Sequence, residues 1–203
     1  MELRIRDYRP GDAREVVEIF RDSYNTLRES KGGLHPDEEV DEVLALPDEA
    51  ILDRLTQSSL LVVAEIVETG ELAGTGAIRD GLAHRLVGST FSMNHYVPER
   101  FQKGRADVSV GSALRKATIE KARQLGYRKL CGLAVPESKG FHAKFGAVFF
   151  PEHNASDWHS GVEYQYYEFV FRESPLNAIK FESYAARLVK LAKNLRRSVM
   201  SLF

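Results

Sequence analysis

The stretch from Pro98 to Ala113 holds the residue types with the clearest chemical capacity. A loop containing Arg100, Lys103, Gly104 and Arg105 runs into Ser109-Val110-Gly111-Ser112-Ala113, where apolar residues begin to recur at helical spacing. The first N–H groups of a helix have no partner within it, and the helix dipole favours an anion in front of them. Gly111 permits a ligand to approach the backbone closely, Ser109 and Ser112 add hydroxyls, and the basic loop suits a diphosphate. The same pattern also describes a solvated loop leading into a serine-capped helix. It is neither a Walker loop nor a dinucleotide fingerprint, because Gly-Lys-Ser/Thr and Gly-x-Gly-x-x-Gly are both absent.

The elements that must position this turn follow from periodicity. Leu3, Ile5 and Tyr8 read as a first strand, broken by Pro10-Gly11-Asp12. Asp12 and Glu15 have capping-box spacing ahead of a helix over residues 13–28. Residues 35–58 read as one or two short, acidic helices broken at Pro47. Leu60 to Ile66 and Leu72 to Ile78 form a hairpin, and the small residues of the second strand let another segment approach. A longer strand spans residues 86–97, and a helix runs from Val110 to Leu125, closed by Gly126. Then come a strand at 129–135, a short helix at 138–146, a strand at 147–150, a loop at 151–161 and an aromatic strand at 162–171. The order predicts an α/β mixed sheet, antiparallel in its first half, with one right-handed parallel crossover in the middle. A sheet of this kind can splay where its halves meet, and that cleft is a natural ligand site.

Three stretches in this order resemble the GCN5-related N-acetyltransferases, the GNAT superfamily. MELRIRDYRPGDAREVVEIF is similar to the family's opening strand and helix, VGSALRKATIEKARQLGYRKL to its pyrophosphate helix and next strand, and AVPESKGFHAKFGAVFF to the segment after that. The resemblance covers residues 1–171 and implies a splayed, mostly antiparallel sheet flanked by helices, with acetyl-CoA in the splay passing its acyl group to an amine. It also implies that Tyr96, Val97, Arg105, Ser109, Val110, Gly111, Ser112, Ala113, Ser138, Phe141 and Lys144 contact the co-substrate. In the phosphate signature Ala106 takes the first position and Ser109 the middle glycine's. His142 stands where the family usually has a tyrosine taken as general acid, Ser138 about where an asparagine often lies, and Ala147 replaces a phenylalanine.

On that reading His142 is the proton donor for the leaving thiolate, and His95, at the end of the fourth strand, is a base acting directly or through water. Each is equally readable as a structural histidine. Asn94 and Ser92 are weaker candidates on the same strand, and Glu65 faces either the cleft or solvent. The acidic segment 37–53 is either a solvated face or a wall that attracts a cationic amine, of a small molecule or a peptide. Cys131, the single cysteine, lies in an apolar strand and reads as a small core residue, which excludes an internal disulfide and a cysteine zinc cluster. His153, Asp157 and His159 lack metal-ligand spacing, so no metal is expected. Two rival functions remain: a non-catalytic acyl-CoA-binding regulatory module, and an interaction protein acting through the chain's end.

That end, residues 172–203, reads as a basic amphipathic helix from about Leu176. Phe181, Ala185, Leu188, Ala192, Leu195, Val199 and Leu202 recur at heptad spacing, beside six basic residues and one acidic residue. It would pack on its own domain or form a homodimer, with an anionic membrane or nucleic acid as the less favoured contacts. The whole chain, 203 residues with 43% hydrophobic and 28% charged, has a net charge of −1. That near-neutrality conceals +5 on residues 176–203 against −6 elsewhere, so anion-binding surface is confined to the last helix and the loop before Gly111. The first ten residues hold no long apolar run, so neither a secretory signal nor a membrane span is expected, and the single cysteine points to the cytoplasm.

Overall fold

A computed structural model describes residues 2–29, 37–58, 60–79, 89–92, 95–102, 109–156 and 163–171. The elements are β1 (Leu3–Asp7), α1 (Ala13–Glu29), α2 (Asp37–Leu44), α3 (Asp48–Thr56), β2 (Leu60–Ile66), β3 (Leu72–Arg79), β4 (Ser89–Ser92), α4 (Val110–Gln124), β5 (Lys129–Ala134), α5 (Lys139–Ala143), β6 (Val148–Phe149), β7 (Ala155–Ser156) and β8 (Glu163–Val170). The strands form one mixed sheet in the order β1-β2-β3-β4-β5-β8-β6, with β7 paired to β8. Every pairing is antiparallel except β4 with β5. This matches the fold class read from the sequence. The expected C-terminal helix, and with it the dimer, membrane and nucleic-acid readings, lies outside the described residues. Among the described residues no helix is long and apolar enough to cross a membrane.

Two apolar layers sandwich the sheet. On one face Val16, Val17, Ile19 and Phe20 of α1 pack with Ile51 and Leu55 of α3 over Leu61, Val63, Ala77 and Tyr96. On the other, Val110 and Leu114 of α4 pack over Val62, Ala64 and Ile66, and Ile119 and Ala122 over Ile78, Leu130, Tyr167 and Phe169. Complete burial of a side chain such as Leu114 is worth about 1.5–3 kcal/mol. Gly126, at φ +83°, ends α4 in the left-handed conformation that suits glycine.

The glycines of β3 set how closely α4 can lie. A Cβ on Gly74 would fall 2.9 Å from the Tyr96 carbonyl oxygen, 3.0 Å from Leu114 and 3.1 Å from Val110. One on Gly76 would fall 2.5 Å from the His95 ring. The close approach expected at these small residues is therefore made by α4 and by the His95–Tyr96 segment.

Three local expectations change. Asp12 and Glu15 do not form a capping box: Asp12 accepts from the Arg9 N–H at 2.7 Å and pairs with Arg6, while Glu15 accepts from the Leu72 N–H at 3.0 Å. Residues 10–12 form a 3-10 turn, so the Asp12 carboxylate serves that turn instead of α1. The 151–161 segment begins as a 3-10 turn and adds β7, whose two residues pair with Tyr164 and Glu163. In the expected 86–97 strand, the described pairing is split between Ser89–Ser92 and an isolated bridge at Tyr96.

Replacing Gly74 with alanine tests this packing. The Tyr96 carbonyl is backbone and cannot rotate away, so the overpacking is expected to cost about 1–3 kcal/mol, read as a lower urea midpoint with an unchanged slope. A midpoint equal to the parent's would contradict the close approach of the three segments.

Candidate functional site

The β4–β5 ladder is short: Ser89, Thr90 and Phe91 pair with Lys129, Leu130 and Cys131. Beyond it the two strands have different neighbours. Tyr96 exchanges both backbone hydrogen bonds with Thr75 of β3 at 2.9 Å, whereas Gly132 to Ala134 continue along β8 opposite Tyr167, Tyr166 and Gln165. The edges therefore diverge into a cleft. Ser92 pairs with Ile78 and Tyr96 with Thr75, so the register against β3 shifts by one residue between these two pairs. Tyr96, expected to contact the co-substrate, gives both its backbone groups to Thr75. Alternation turns the next residue's N–H the other way, and among the described residues only the carbonyl of Val97 is engaged, by Gln102 Nε2 at 3.1 Å.

At the start of α4 the Ser109 Oγ accepts from the Ser112 N–H at 3.4 Å and donates to the Ser112 Oγ at 2.9 Å. The Ala113 N–H bonds the Ser109 carbonyl at 3.1 Å. Of the amides expected to face an anion, Ser112 and Ala113 are thus engaged within the helix. Among the described residues the Val110 and Gly111 N–H groups have no acceptor, and Val110 offers its backbone alone because its side chain is fully buried. A Cβ on Gly111 would meet only Phe141 Cζ, at 4.0 Å, so the structure brings Gly111 and Phe141 together across the helix mouth. Ser138 donates its hydroxyl to the Val135 carbonyl at 3.0 Å, and Lys144 is exposed just past α5. Arg100 is already paired, with Asp22 at 3.3 Å and Glu71 at 2.9 Å, so it is drawn to the α1 side. Arg105, Lys103 and Asn94 lie outside the described residues.

A buried polar cluster sits at the apex of the cleft on the α4 side. Thr118 Oγ1 donates to the Leu114 carbonyl at 2.8 Å, so its contact with His95 Nε2 at 3.0 Å must be one in which the ring N–H donates. That fixes the tautomer and ties His95 to α4. Arg115, 3% exposed, has its guanidinium 5.8 Å from the rings of both Tyr167 and Phe169 and hydrogen-bonded to the Tyr167 hydroxyl. That hydroxyl crosses Gly132, where a Cβ would fall 2.3 Å from it. Gly132 is the first β5 residue beyond the last β4–β5 pair. His142, 7% exposed, stacks on Tyr167 with ring centroids 4.4 Å apart.

The two histidines expected to carry chemistry are thus brought near one another and near one cation. Burial pushes the His142 imidazole down to about 3, with the Arg115 charge adding to the effect. His95 is driven well below its ordinary value by burial, then by Arg115 and His142. Both rings are neutral at neutral pH. The position of His142 suits a proton donor, but its environment corrects that expectation: the imidazolium is not populated, and Nδ1 is buried without a hydrogen-bond partner among the described residues. His95 keeps a lone pair at Nδ1, although its ring is turned toward α4.

The opposite face of the cleft is aromatic. Tyr96 packs on Phe20 at 4.8 Å and on Tyr24 at 6.0 Å, and is hydrogen-bonded to Tyr24. Across the splay on that face, Glu168 Oε1 accepts from the Tyr166 hydroxyl at 2.8 Å and from Lys129 Nζ at 2.9 Å. Glu65 faces neither cleft nor solvent; it is held by Arg4 and Arg6 at the β1 side of the sheet. Cys131 is buried, as its strand implied. His153 lies edge-on to the Tyr166 ring at 5.6 Å. His159 and Asp157 lie outside the described residues, and among those described no three potential ligands converge to hold a metal.

Arg115, Thr118 and Tyr167 were missed in the sequence reading. The available signal was a cation at Arg115 directly after Leu114 on the apolar side of α4, and alternation that sets Tyr167 and Phe169 on the face opposite Tyr166 and Glu168.

The depressed histidine has a consequence for acid stability. The unfolded chain protonates this ring near 6.5 while the folded chain holds it neutral to about 3. Proton uptake then favours unfolding, so stability is lost as pH falls through that window. Urea unfolding of the parent and of His142→Phe should show the parent losing more stability between these limits. Parallel curves would contradict a neutral, buried His142.

No protein-family model matches the chain, and no curated protein matches it in sequence. Solved structures do match in shape. The PaiA N-acetyltransferase of Thermoplasma acidophilum, in complex with coenzyme A, aligns with 84% of this chain and all of its own at TM-score 0.62 and 14% identity. A GCN5-related N-acetyltransferase from Rhodopseudomonas palustris aligns over 84% of this chain and 97% of its own, at TM-score 0.63 and 20% identity. A GNAT-family acetyltransferase of Brucella melitensis, in complex with acetyl-CoA, covers 85% of this chain and 90% of its own, at TM-score 0.53 and 18% identity. The fold of this chain is that of the GNAT acetyltransferases.

Proposed function

We propose that the chain transfers an acetyl group, or a related acyl group, from an acyl-CoA to a primary amine of a small molecule or peptide, by direct attack in a ternary complex. One observation carries this reading. Among the described residues the N–H groups of Val110 and Gly111, at the start of α4, and of Val97, just past the Tyr96 bridge, have no acceptor. The first pair suits a diphosphate and the last a thioester carbonyl, the two polar ends of an acyl-CoA. Two of the structures similar in fold are described as complexes with coenzyme A or acetyl-CoA.

In this reading Val110 and Gly111 hold the diphosphate, with Ser109 and Lys144 at the rim and Phe141 packed beside the helix mouth. The Val97 N–H orients the acyl carbonyl. The amine enters from the face of Tyr24 and Tyr96, beyond the acidic helices α2 and α3. A neutral amine attacks, and the proton it sheds reaches water; His95, expected as a base, is held neutral and turned toward α4. A second reading, a binding module without turnover, is favoured by the neutral His142 at the position where a proton donor was expected.

Calorimetry with acetyl-CoA separates binding from none. Gly111→Asp is the variant of choice because a Cβ has room there, so the fold survives while a carboxylate meets the diphosphate. Affinity is expected to fall at least roughly tenfold, about 1.4 kcal/mol. Unchanged affinity would contradict the assigned anion site. Amine-dependent release of free thiol then distinguishes the enzyme from the binding module, which would bind acetyl-CoA and release none.

A further inference from the structure

We infer that the buried guanidinium of Arg115 holds the thiolate that leaves when an acyl-CoA is cleaved at the apex of the splay. The inference rests on the acyl-transfer reading above and assigns the leaving-group chemistry within it.

Placement is the ground for it. Arg115 lies one turn beyond Gly111 on α4, so the helix that offers its first amides to a diphosphate offers this side chain deeper in the same cleft. The guanidinium is hydrogen-bonded to the Tyr167 hydroxyl, and that hydroxyl lies across Gly132, where β5 parts from β4. A positive charge therefore stands on the α4 side of the apex. It is 3% exposed, and an arginine stays charged in such a setting. The ionisable groups facing it are His95 from the β4 extension, His142 from α5 and Tyr167 from β8. His95 and His142 are both neutral, so the local field at the apex is positive. Such a field suits an anion that appears only as the reaction proceeds.

The step balances without a protein acid. The amine lone pair forms the N–C bond at the thioester carbonyl, and the tetrahedral adduct collapses with cleavage of the C–S bond. The electron pair stays on sulfur, as a thiolate paired with Arg115. The ammonium proton passes to water, and the thiolate takes a proton from solvent on release. His142 then supports the Tyr167 ring and supplies no proton.

The test uses the full chain with free coenzyme A, following the bound thiol's ionisation by its ultraviolet thiolate absorbance and binding by calorimetry. A free thiol ionises near about 8.5. Bound to the parent protein it should ionise at least about one unit lower, a tenfold larger thiolate fraction. Arg115→Met should return it to the free value and reduce kcat by roughly 10²-fold, as loss of a donor to a developing anion does elsewhere, with KM for acetyl-CoA little changed. Arg115→Lys should keep most of the shift. If Arg115→Met does not fold, the parent titration and Arg115→Lys still decide. Coenzyme A that binds with an unshifted thiol would overturn the role of Arg115 and leave the acyl-transfer reading standing. Failure of coenzyme A to bind the parent would overturn both.

Discussion

Beyond Phe91, strand β4 stays with β3 and leaves β5. The rest of the candidate site depends on that parting. Tyr96 gives both its backbone groups to Thr75, while Gly132 to Ala134 run in register with β8, so the two strands follow different neighbours. Unpaired strand edges are costly when buried and useful when a ligand can pair with them. Strand alternation sets His95 and Tyr96 on opposite faces of the sheet, one against α4 and the other against α1. One side is then built by α4 and the other by α1 with its aromatic ladder of Phe20, Tyr24 and Tyr96.

Electrostatics follow from the same geometry. Arg115 is buried because Tyr167 and Phe169 close over it, and its charge acts on every ionisable group at the apex. Burial disfavours the charged form of a histidine, and a nearby cation adds to that. Two histidines that would titrate near neutrality in water are instead held neutral. This moves the chemical interest from a proton donor on α5 to a fixed cation on α4.

Much of the fold was legible because it depends on local pattern. The α4 helix, its Ser109 start and its Gly126 end follow from periodicity and cap chemistry, and the small residues of β3 announced a close neighbour. The helix start in front of Gly111 was legible too, since free amides belong to any helix start. What escaped depends on segments distant in sequence. Nothing near Tyr96 in the chain says that Thr75 will take its backbone groups. Arg115 reads as one more surface cation until Tyr167, arriving on the last strand, covers it. His142 was found by position but given a role that only an open, solvated ring could fill.

The central claim is that the first amides of α4 and the apex of the splay hold one acyl-CoA between them. Residue-resolved amide hydrogen exchange, with and without coenzyme A, tests it most directly. The account expects slowed exchange at Val110 and Gly111 together with Val97, on both walls of the cleft at once. Binding without protection of these amides, or protection confined to other surfaces of the molecule, would contradict it.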